Sequence, residues 1–508
     1  MTLTQIIGQR FGVGFEGKTV PEDFRAFVRR TQIGSVILFS RNIGTAQETR
    51  ALCEEIQRIV IEETGRPALI MADQEGGAVK RLGKDAALVP SAMALAAAGG
   101  GDIRTAMRIT GDELAAVGIN MDLAPVADVN SNPLNPIIGP RSYGDTPEKV
   151  GACVAEAVRG LHDAGVYSCA KHFPGHGDTA LDSHLDLPMV DRSLKELEAQ
   201  ELVPFQAAAM AGTDAVMTTH ILFPQLETEN IPATMSRTIL QGLLREKLGF
   251  QGLIISDCMM MSAIRKFYGT VEGSLAAVKA GVDIVLICHD MALMEEAWQK
   301  VYDEAIAGRI SMEELQNSAD RVLRYREQAV LFAGDVSQVG RRERLDAAQD
   351  MMDRAVTHLG APVPALSGKC LFTAPAPSFA GKVNDSLDQF TFADFLSRRF
   401  RGTGFTFAMD PEDQEIESIL SQAKDADVIC LGTVSALRHP GQDKLLRALA
   451  GLGKPMIAAA LRDPYELKDL PEHVCALALY EYDRMSMKAL ERVLSGEIKP
   501  TGTLPVKL

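Results

Sequence analysis

The chain has 508 residues, of which 46% are hydrophobic and 23% are charged, and its formal net charge is −15 at pH 7. This length allows two or three domains with a large buried core. The acidic balance argues against a nucleic-acid partner and against an anionic membrane surface, because both require clustered Lys and Arg.

The sequence also predicts where the protein resides. No run of about 20 uninterrupted apolar residues is present, so we expect no membrane-spanning helix. The start, MTLTQIIGQRFGVGF, lacks a basic segment followed by a long apolar run, and we expect no signal peptide. Several of the eight cysteines, such as Cys169, Cys288 and Cys430, lie in apolar stretches. Buried free thiols in a reducing cytoplasm are therefore predicted rather than disulfides.

The first part of the chain alternates short apolar runs with helix-compatible segments such as 46–63, 147–164 and 194–211. The predicted strands are 12–15, 35–39, 68–72, 119–123, 166–170, 215–219, 253–256 and 283–287. Strands that are apolar throughout are buried on both faces, as in a parallel sheet. Eight such units predict a TIM-type (β/α)8 barrel over residues 1–331. An open doubly wound sheet would give a similar pattern.

The alternation of predicted strands and helices stops after residue 331. Residues 332–361, which include the helix-forming run RRERLDAAQDMMDRAVTH, are interpreted as a helical linker. A second series of alternating strands and helices is predicted over residues 362–508. Its predicted strands are 370–373, 428–433, 456–460 and 476–480. The sequence therefore predicts that a smaller α/β sandwich domain follows the barrel.

Titratable side chains follow the apolar strands of the first part where each strand ends. In barrel enzymes the catalytic groups lie at the C-terminal strand ends and in the loops beyond them. Six strand ends carry such residues, namely Asp73, Asp128, Lys171 with His172, His220, Asp257, and His289 with Asp290. The repetition predicts an active site at this rim. A helix N-cap is an alternative role for Asp257, and Cys258 after it is interpreted as a small apolar residue.

The loop KHFPGHGDTALDSHLDLP, residues 171–188, concentrates three histidines beside three aspartates. Two interpretations stay open from these residues alone. The ligands of a metal would be His172, His176, Asp178 and His184. That spacing matches no zinc signature. In the second interpretation, Asp182 orients the His184 imidazole and raises its pKa, which makes His184 a general acid/base.

Five co-linear motifs resemble those of glycoside hydrolase family 3. They are ILFSRNI, DQEGGAVKR, NPIIGPRSYG, KHFPGHGDT with DSH, and SDCMMMSAI. The similarity runs from about residue 8 to residue 324, and the tail GEIKPTGTLPV is similar to the end of the family's second domain. The likeness is to the bacterial β-N-acetylglucosaminidase branch associated with peptidoglycan recycling, in its two-domain form. Cys258 supports this branch, because the glucosidase branch usually has Trp there.

The resemblance implies a retaining glycosidase for a small carbohydrate substrate, with no cofactor and no metal. Asp257 would be the nucleophile that forms a covalent glycosyl-enzyme, and Asp182 with His184 would be an acid/base dyad in place of the usual Glu. The positions that grip the sugar match Asp73, Arg81, Arg141, Lys171 and His172. The expected reaction removes terminal β-linked N-acetylglucosamine from peptidoglycan fragments or chitin oligosaccharides.

Three alternatives to this reaction remain at this point. A neutral imidazole does not repel phosphate as a carboxylate would, so the same scaffold would also suit a β-glycoside phosphorylase. A non-catalytic sugar-binding relative is a second alternative, although its catalytic positions would be expected to have decayed. A metallohydrolase built on the histidine loop is the third.

Overall fold

The computed structural model describes residues 1–179, 187–376 and 390–508. Two predicted site residues, Asp182 and His184, lie outside the described residues. Eight strands of the first part form one parallel sheet with the order β7-β6-β5-β4-β3-β2-β1-β8. They are β1 (Phe11–Val13), β2 (Ser35–Leu38), β3 (Leu69–Ala72), β4 (Met121–Asp122), β5 (Tyr167–Phe173), β6 (Ala215–Thr218), β7 (Leu253–Ile255) and β8 (Val285–Ile287).

This sheet closes on itself. β1 pairs in parallel with both β2 and β8, and a parallel bridge joins Ile255 of β7 to Ile284 just before β8. The Ser256 N–H donates to the Ile284 carbonyl at 3.0 Å, and the Ser256 hydroxyl accepts from the Leu286 N–H at 2.9 Å. The predicted TIM-type barrel is confirmed, and the open doubly wound sheet was the wrong alternative.

Helices surround the barrel. They are α1 (Leu3–Gly8), α2 (Phe24–Thr31), α3 (Ala46–Thr64), α4 (Ala92–Ala97), α5 (Ile103–Val117), α6 (Pro147–Asp163), α7 (Leu194–Ala199), α8 (Leu202–Met210), a π-helix (Thr238–Lys247), α9 (Ser262–Arg265), α10 (Thr270–Ala280), α11 (Met291–Ile306) and α12 (Met312–Gln328). Along β7, Ile254 packs towards the helices, whereas Leu253 and Ile255 fill the barrel interior. Burial on both faces explains why the strands are apolar throughout.

The predicted helix 194–211 is two helices, α7 and α8. Ser193 caps α7 by accepting the Glu196 N–H, and the helix ends before Gln200. Pro204 lies in the first turn of α8 and has no N–H, so a continuous helix would lose the bond to the Gln200 carbonyl. The break follows from this missing donor.

The second sheet has six strands in the order β11-β10-β12-β13-β14-β9, and only β9 is antiparallel to its neighbour. They are β9 (Thr357–Gly360), β10 (Cys370–Pro375), β11 (Thr403–Phe407), β12 (Val428–Thr433), β13 (Met456–Ala460) and β14 (Val474–Ala478). Its helices are α13 (Arg342–Ala355), α14 (Phe392–Phe400), α15 (Asp413–Asp425), α16 (Pro440–Ala450) and α17 (Arg484–Leu494). The predicted α/β sandwich after the barrel is confirmed. Within the described ranges, none of the helices of either part is long and apolar enough to cross a membrane.

The sandwich supports a barrel loop that carries a predicted site residue. Asn130 donates to the Tyr465 hydroxyl at 2.6 Å, and Arg462 donates to the Pro136 carbonyl at 3.3 Å. Asp463 lies so close to Gly139 that a Cβ there would approach its carboxylate oxygen to 2.5 Å. These contacts fix the loop that ends at Arg141.

Candidate active site

A cavity of about 340 Å³ opens at the C-terminal ends of the barrel strands, a size that suits a small ligand. Its polar and aromatic lining includes Phe39, Arg41, Asp73, Glu75, Arg81, Arg141, Lys171, His172, His176, Asp257, Arg265 and His289. The structure therefore brings six predicted site residues into one cavity. They are Asp73, Arg81, Arg141, Lys171, His172 and Asp257.

Part of the cavity wall is a buried ion cluster. Lys171 Nζ lies 2.7 Å from Asp73 Oδ1 and 2.7 Å from Glu75 Oε1. Arg141 donates two hydrogen bonds of 2.8 Å to Glu75, and Arg81 Nη2 donates to Asp73 at 3.1 Å. Three cations thus share two carboxylates, and each charge has a partner of opposite sign.

The cluster stays ionised at neutral pH. Burial alone would raise the pKa of the Glu75 carboxyl, but Arg141 and Lys171 outweigh it and lower the pKa to about 2. Burial is likewise outweighed at Asp73, where Lys171 and Arg81 hold the pKa below its usual range. Burial would lower the pKa of Lys171, and the two carboxylates raise it instead. The wall is therefore a preorganised set of charged donors and acceptors, which suits ligand hydroxyl groups.

Two histidines of the predicted loop are held in fixed orientations. His172 Nδ1 lies 2.7 Å from Asp128 Oδ2, and its Nε2 lies 3.4 Å from Arg141 Nη2, so both ring nitrogens have a partner. Asp128 is buried and also accepts the His176 N–H at 2.7 Å. Burial and the neighbouring His172 lower the pKa of His176 to about 4, so this ring is neutral at neutral pH.

Asp257 lies two residues beyond the end of β7 and lines the same cavity. Its Oδ1 accepts the Cys258 N–H at 2.7 Å. The next helix, α9, begins only at Ser262 and is preceded by Met261 at its N-cap position. The alternative role of Asp257 as a cap of that helix is therefore wrong.

Two strand-end residues predicted for the rim serve the scaffold instead. His220 is buried, with Nδ1 2.9 Å from the Thr234 hydroxyl and Nε2 3.1 Å from the Cys258 carbonyl. It therefore holds the segment after β7. Asp290 accepts the Leu293 N–H at 2.9 Å and caps α11.

Two cavity residues, Glu75 and His176, were not predicted in the roles that they occupy. Glu75 stands two positions after Asp73 in DQEGG. Its partners Arg141 and Lys171 lie 66 and 96 positions further along the chain. The only local signal was a second carboxylate beside two glycines in a motif already singled out. Asp128, predicted for the rim, lies behind it and acts through His172.

Comparisons with known proteins agree with this architecture. The model of the glycosyl hydrolase family 3 N-terminal domain matches residues 2–325, more than half of the chain. A β-hexosaminidase from Stenotrophomonas maltophilia (strain K279a) is 35% identical over 301 residues, which cover 58% of this chain and 87% of that protein. The β-hexosaminidase A of Pseudoalteromonas piscicida is 33% identical over 362 residues, which cover 63% of this chain and 60% of that protein.

A solved structure extends the likeness to both domains. The family 3 β-N-acetylglucosaminidase from Paenibacillus sp. str. FPU-7 has a TM-score of 0.92 and 36% sequence identity to this chain. The similarity covers 100% of this chain and 99% of that one. On the family match, these relatives and the shared two-domain fold, the chain belongs to glycosyl hydrolase family 3 and is a glycosidase.

Proposed function

We propose that this glycosidase removes terminal β-linked N-acetylglucosamine with retention of configuration. Asp257 attacks the anomeric carbon and forms a covalent glycosyl-enzyme, and His184, oriented by Asp182, protonates the leaving oxygen and then deprotonates water. The observation that carries the proposal is the position of Asp257, whose carboxylate follows β7 and lines the same cavity as the ion cluster. The names of the curated relatives support the amino sugar.

The ion cluster would hold the sugar through its hydroxyl groups. Asp73 accepts, Lys171 and Arg141 donate, and their mutual contacts of 2.7 to 2.8 Å keep them in place before the ligand arrives. Preorganised charged groups lose little freedom when they bind a ligand. The Phe39 ring also lines the cavity, where it packs against the His289 ring at 5.0 Å and the Arg41 guanidinium at 4.6 Å.

A charged side chain at the cavity rim favours peptidoglycan fragments over chitin oligosaccharides as the substrate. Arg265 is exposed, lines the cavity, and makes no ion pair with any described residue. Arg41 lines the same cavity, but it already donates to two backbone carbonyls and pairs with the Glu16 carboxylate at 3.0 Å. A muramic acid without an attached peptide carries a free carboxylate next to the scissile bond, and such an anion would suit the Arg265 guanidinium. Chitin oligosaccharides offer no anionic group there.

A cytoplasmic location belongs to the same proposal. All eight cysteines lie in the described ranges, and each is a free thiol. Free thiols are typical of a reducing compartment.

The test compares aryl β-N-acetylglucosaminide with aryl β-glucoside, with and without phosphate, on the full chain. We expect at least about tenfold higher kcat/KM for the amino sugar, a β-configured sugar as the first product, and no response to phosphate. A rate that requires phosphate and yields a sugar 1-phosphate would establish the phosphorylase instead. Turnover of neither substrate would favour a non-catalytic sugar-binding protein, and loss of activity on chelation would favour a metallohydrolase.

The proposed role of the ion cluster predicts a large effect of Glu75→Gln. The neutral amide would leave Lys171 and Arg141 buried without a full counter-charge, and breaking a buried pair costs about 3–5 kcal/mol. We expect kcat/KM to fall by at least about tenfold and the free energy of unfolding to fall by a few kcal/mol. Steady-state kinetics and urea denaturation measure the two quantities.

Glu295→Gln is the matched control for this variant. Arg30 donates to both Glu295 oxygens, at 2.7 and 2.8 Å, on the exposed outer face of the barrel. A surface pair of this kind contributes about 0–1 kcal/mol, so neither kinetics nor stability should change appreciably. Equal effects of the two substitutions would contradict the role of Glu75.

A further inference from the structure

Two cysteine thiols lie together in the cavity wall. Cys258 follows Asp257 after β7, and Cys288 follows β8, the strand at which the barrel closes. Both residues line the cavity and pack in the same apolar cluster of the barrel interior, where each thiol shifts the pKa of the other. The Met259 N–H donates to the Leu286 carbonyl at 2.9 Å, which ties the two segments together.

The two thiols have opposite electrostatic surroundings. The neighbouring Cys288 thiol lowers the pKa of Cys258, and the Met260 backbone N–H adds to this against the effect of burial. The pKa of Cys288 is raised by the Cys258 thiol and by burial. Each of the other six cysteines has a raised pKa, about 12 at Cys53 and about 11 at Cys153. A nucleophilic thiolate therefore forms most readily at Cys258, with a second thiol beside it.

We propose that Cys258 and Cys288 are a modification site, a thiol pair that hydroperoxides oxidise to a disulfide in the wall of the active-site cavity. The Cys258 thiolate attacks one oxygen of hydrogen peroxide, breaks the O–O bond and becomes a sulfenic acid, and the other oxygen leaves as hydroxide, which takes a proton to become water. The Cys288 sulfur then attacks the Cys258 sulfur, loses its proton and expels the hydroxyl group as a second water. In total, the two thiols lose two electrons, and one hydrogen peroxide is reduced to two waters.

The disulfide would disturb the proposed nucleophile. The Cys258 N–H donates to Asp257 Oδ1 at 2.7 Å, and the Cys258 carbonyl is held by His220 at 3.1 Å. Formation of the disulfide would bring the Cys258 sulfur to covalent distance of the Cys288 sulfur. This movement would shift the segment that carries Asp257 and Cys258. Small displacements of reacting groups lower the reaction rate by large factors. Oxidation should therefore inactivate the enzyme, and a thiol reductant should restore it.

The experiment treats the reduced full-length protein with hydrogen peroxide and reads both intact mass and activity. We expect wild type to become about 2 Da lighter, to lose at least about tenfold in activity, and to recover with dithiothreitol. Peptide mapping should place the new bond between Cys258 and Cys288. The mass readout needs no substrate, so it stands even if the proposed function fails.

Three variants sharpen the test, each compared with its own untreated activity. Cys258→Ser should resist both the mass change and the inactivation, and Cys288→Ser should gain oxygen at Cys258 without losing 2 Da. Cys153→Ser, which removes a partly exposed thiol on α6, should behave like wild type. A disulfide mapped to other cysteines, or wild-type inactivation without the 258–288 bond, would overturn the proposal.

Discussion

Replacement of Asp257 by alanine is expected to lower kcat by at least about 10⁴-fold, because no carboxylate would remain to attack the anomeric carbon. The fold should tolerate the change. Asp257 is half-buried, and the bond lost from the Cys258 N–H at 2.7 Å is worth about 1 kcal/mol. A large loss of rate with a small loss of stability is the signature of a reacting group rather than a scaffold residue.

Azide adds a second readout for the same variant. The deleted carboxylate leaves space near the anomeric carbon, and a small anion that enters there would attack in its place. We expect azide to restore part of the turnover of an activated aryl substrate. The product should be a glycosyl azide of inverted configuration, because only one displacement has occurred.

Asp290→Ala is the matched control for Asp257. It too follows a barrel strand, but its carboxylate caps α11. Loss of a cap costs about 1 kcal/mol of stability, and kcat should stay within about twofold of wild type. Wild-type turnover in Asp257→Ala, or equal losses of kcat in both variants, would exclude Asp257 as the nucleophile.

The sequence predicts the fold best where strands are buried on both faces. The predicted bounds of β12 and β13 agree with the structure, and both strands are buried along their whole length. β11 and β9 were not predicted. They are the two edge strands of the second sheet. TGFTF is largely exposed, and THLG is fully buried only at Thr357. A strand with one solvated side carries no continuous apolar run, so its pairing depends on a neighbour distant in sequence.

The site was predictable to the extent that barrel topology places strand ends on one rim. Asp73 and Asp257 follow their strands and line the cavity, as the pattern indicates. The same pattern failed for His220, whose ring turns to Thr234 and the Cys258 carbonyl. A strand-end position locates the backbone, but the direction of the side chain depends on tertiary partners. Those partners were invisible in the local sequence.

Replacement of His184 by alanine is expected to lower kcat on a natural disaccharide by about 10²–10⁴-fold, because the leaving sugar oxygen would depart unprotonated. An aryl glycoside with an acidic phenol needs little protonation, so its first step should stay fast. Water would then attack the glycosyl-enzyme without a base. We expect a burst of phenol close to one equivalent per enzyme, followed by slow turnover.

Mass spectrometry after the burst would show the accumulated glycosyl-enzyme, which would also locate the nucleophile. His473→Ala is a suitable control, since this histidine of the second domain is exposed and its ring hydrogen-bonds to the Ala450 carbonyl at 3.1 Å. It should show neither the burst nor the loss of kcat. If His184→Ala lost kcat equally on both substrates and showed no burst, an acid/base role of His184 would be contradicted.

Asp182→Asn tests whether the second member of the proposed dyad acts through His184. A carboxylate that hydrogen-bonds an imidazole stabilises the imidazolium and raises its pKa. The first step needs protonated His184, so activity is lost as pH rises through that pKa. Removing the negative charge lowers the pKa of His184, and the alkaline limb of kcat/KM should therefore move to lower pH. An unchanged alkaline limb would mean that Asp182 has no role in tuning the acid, whatever its effect on the rate.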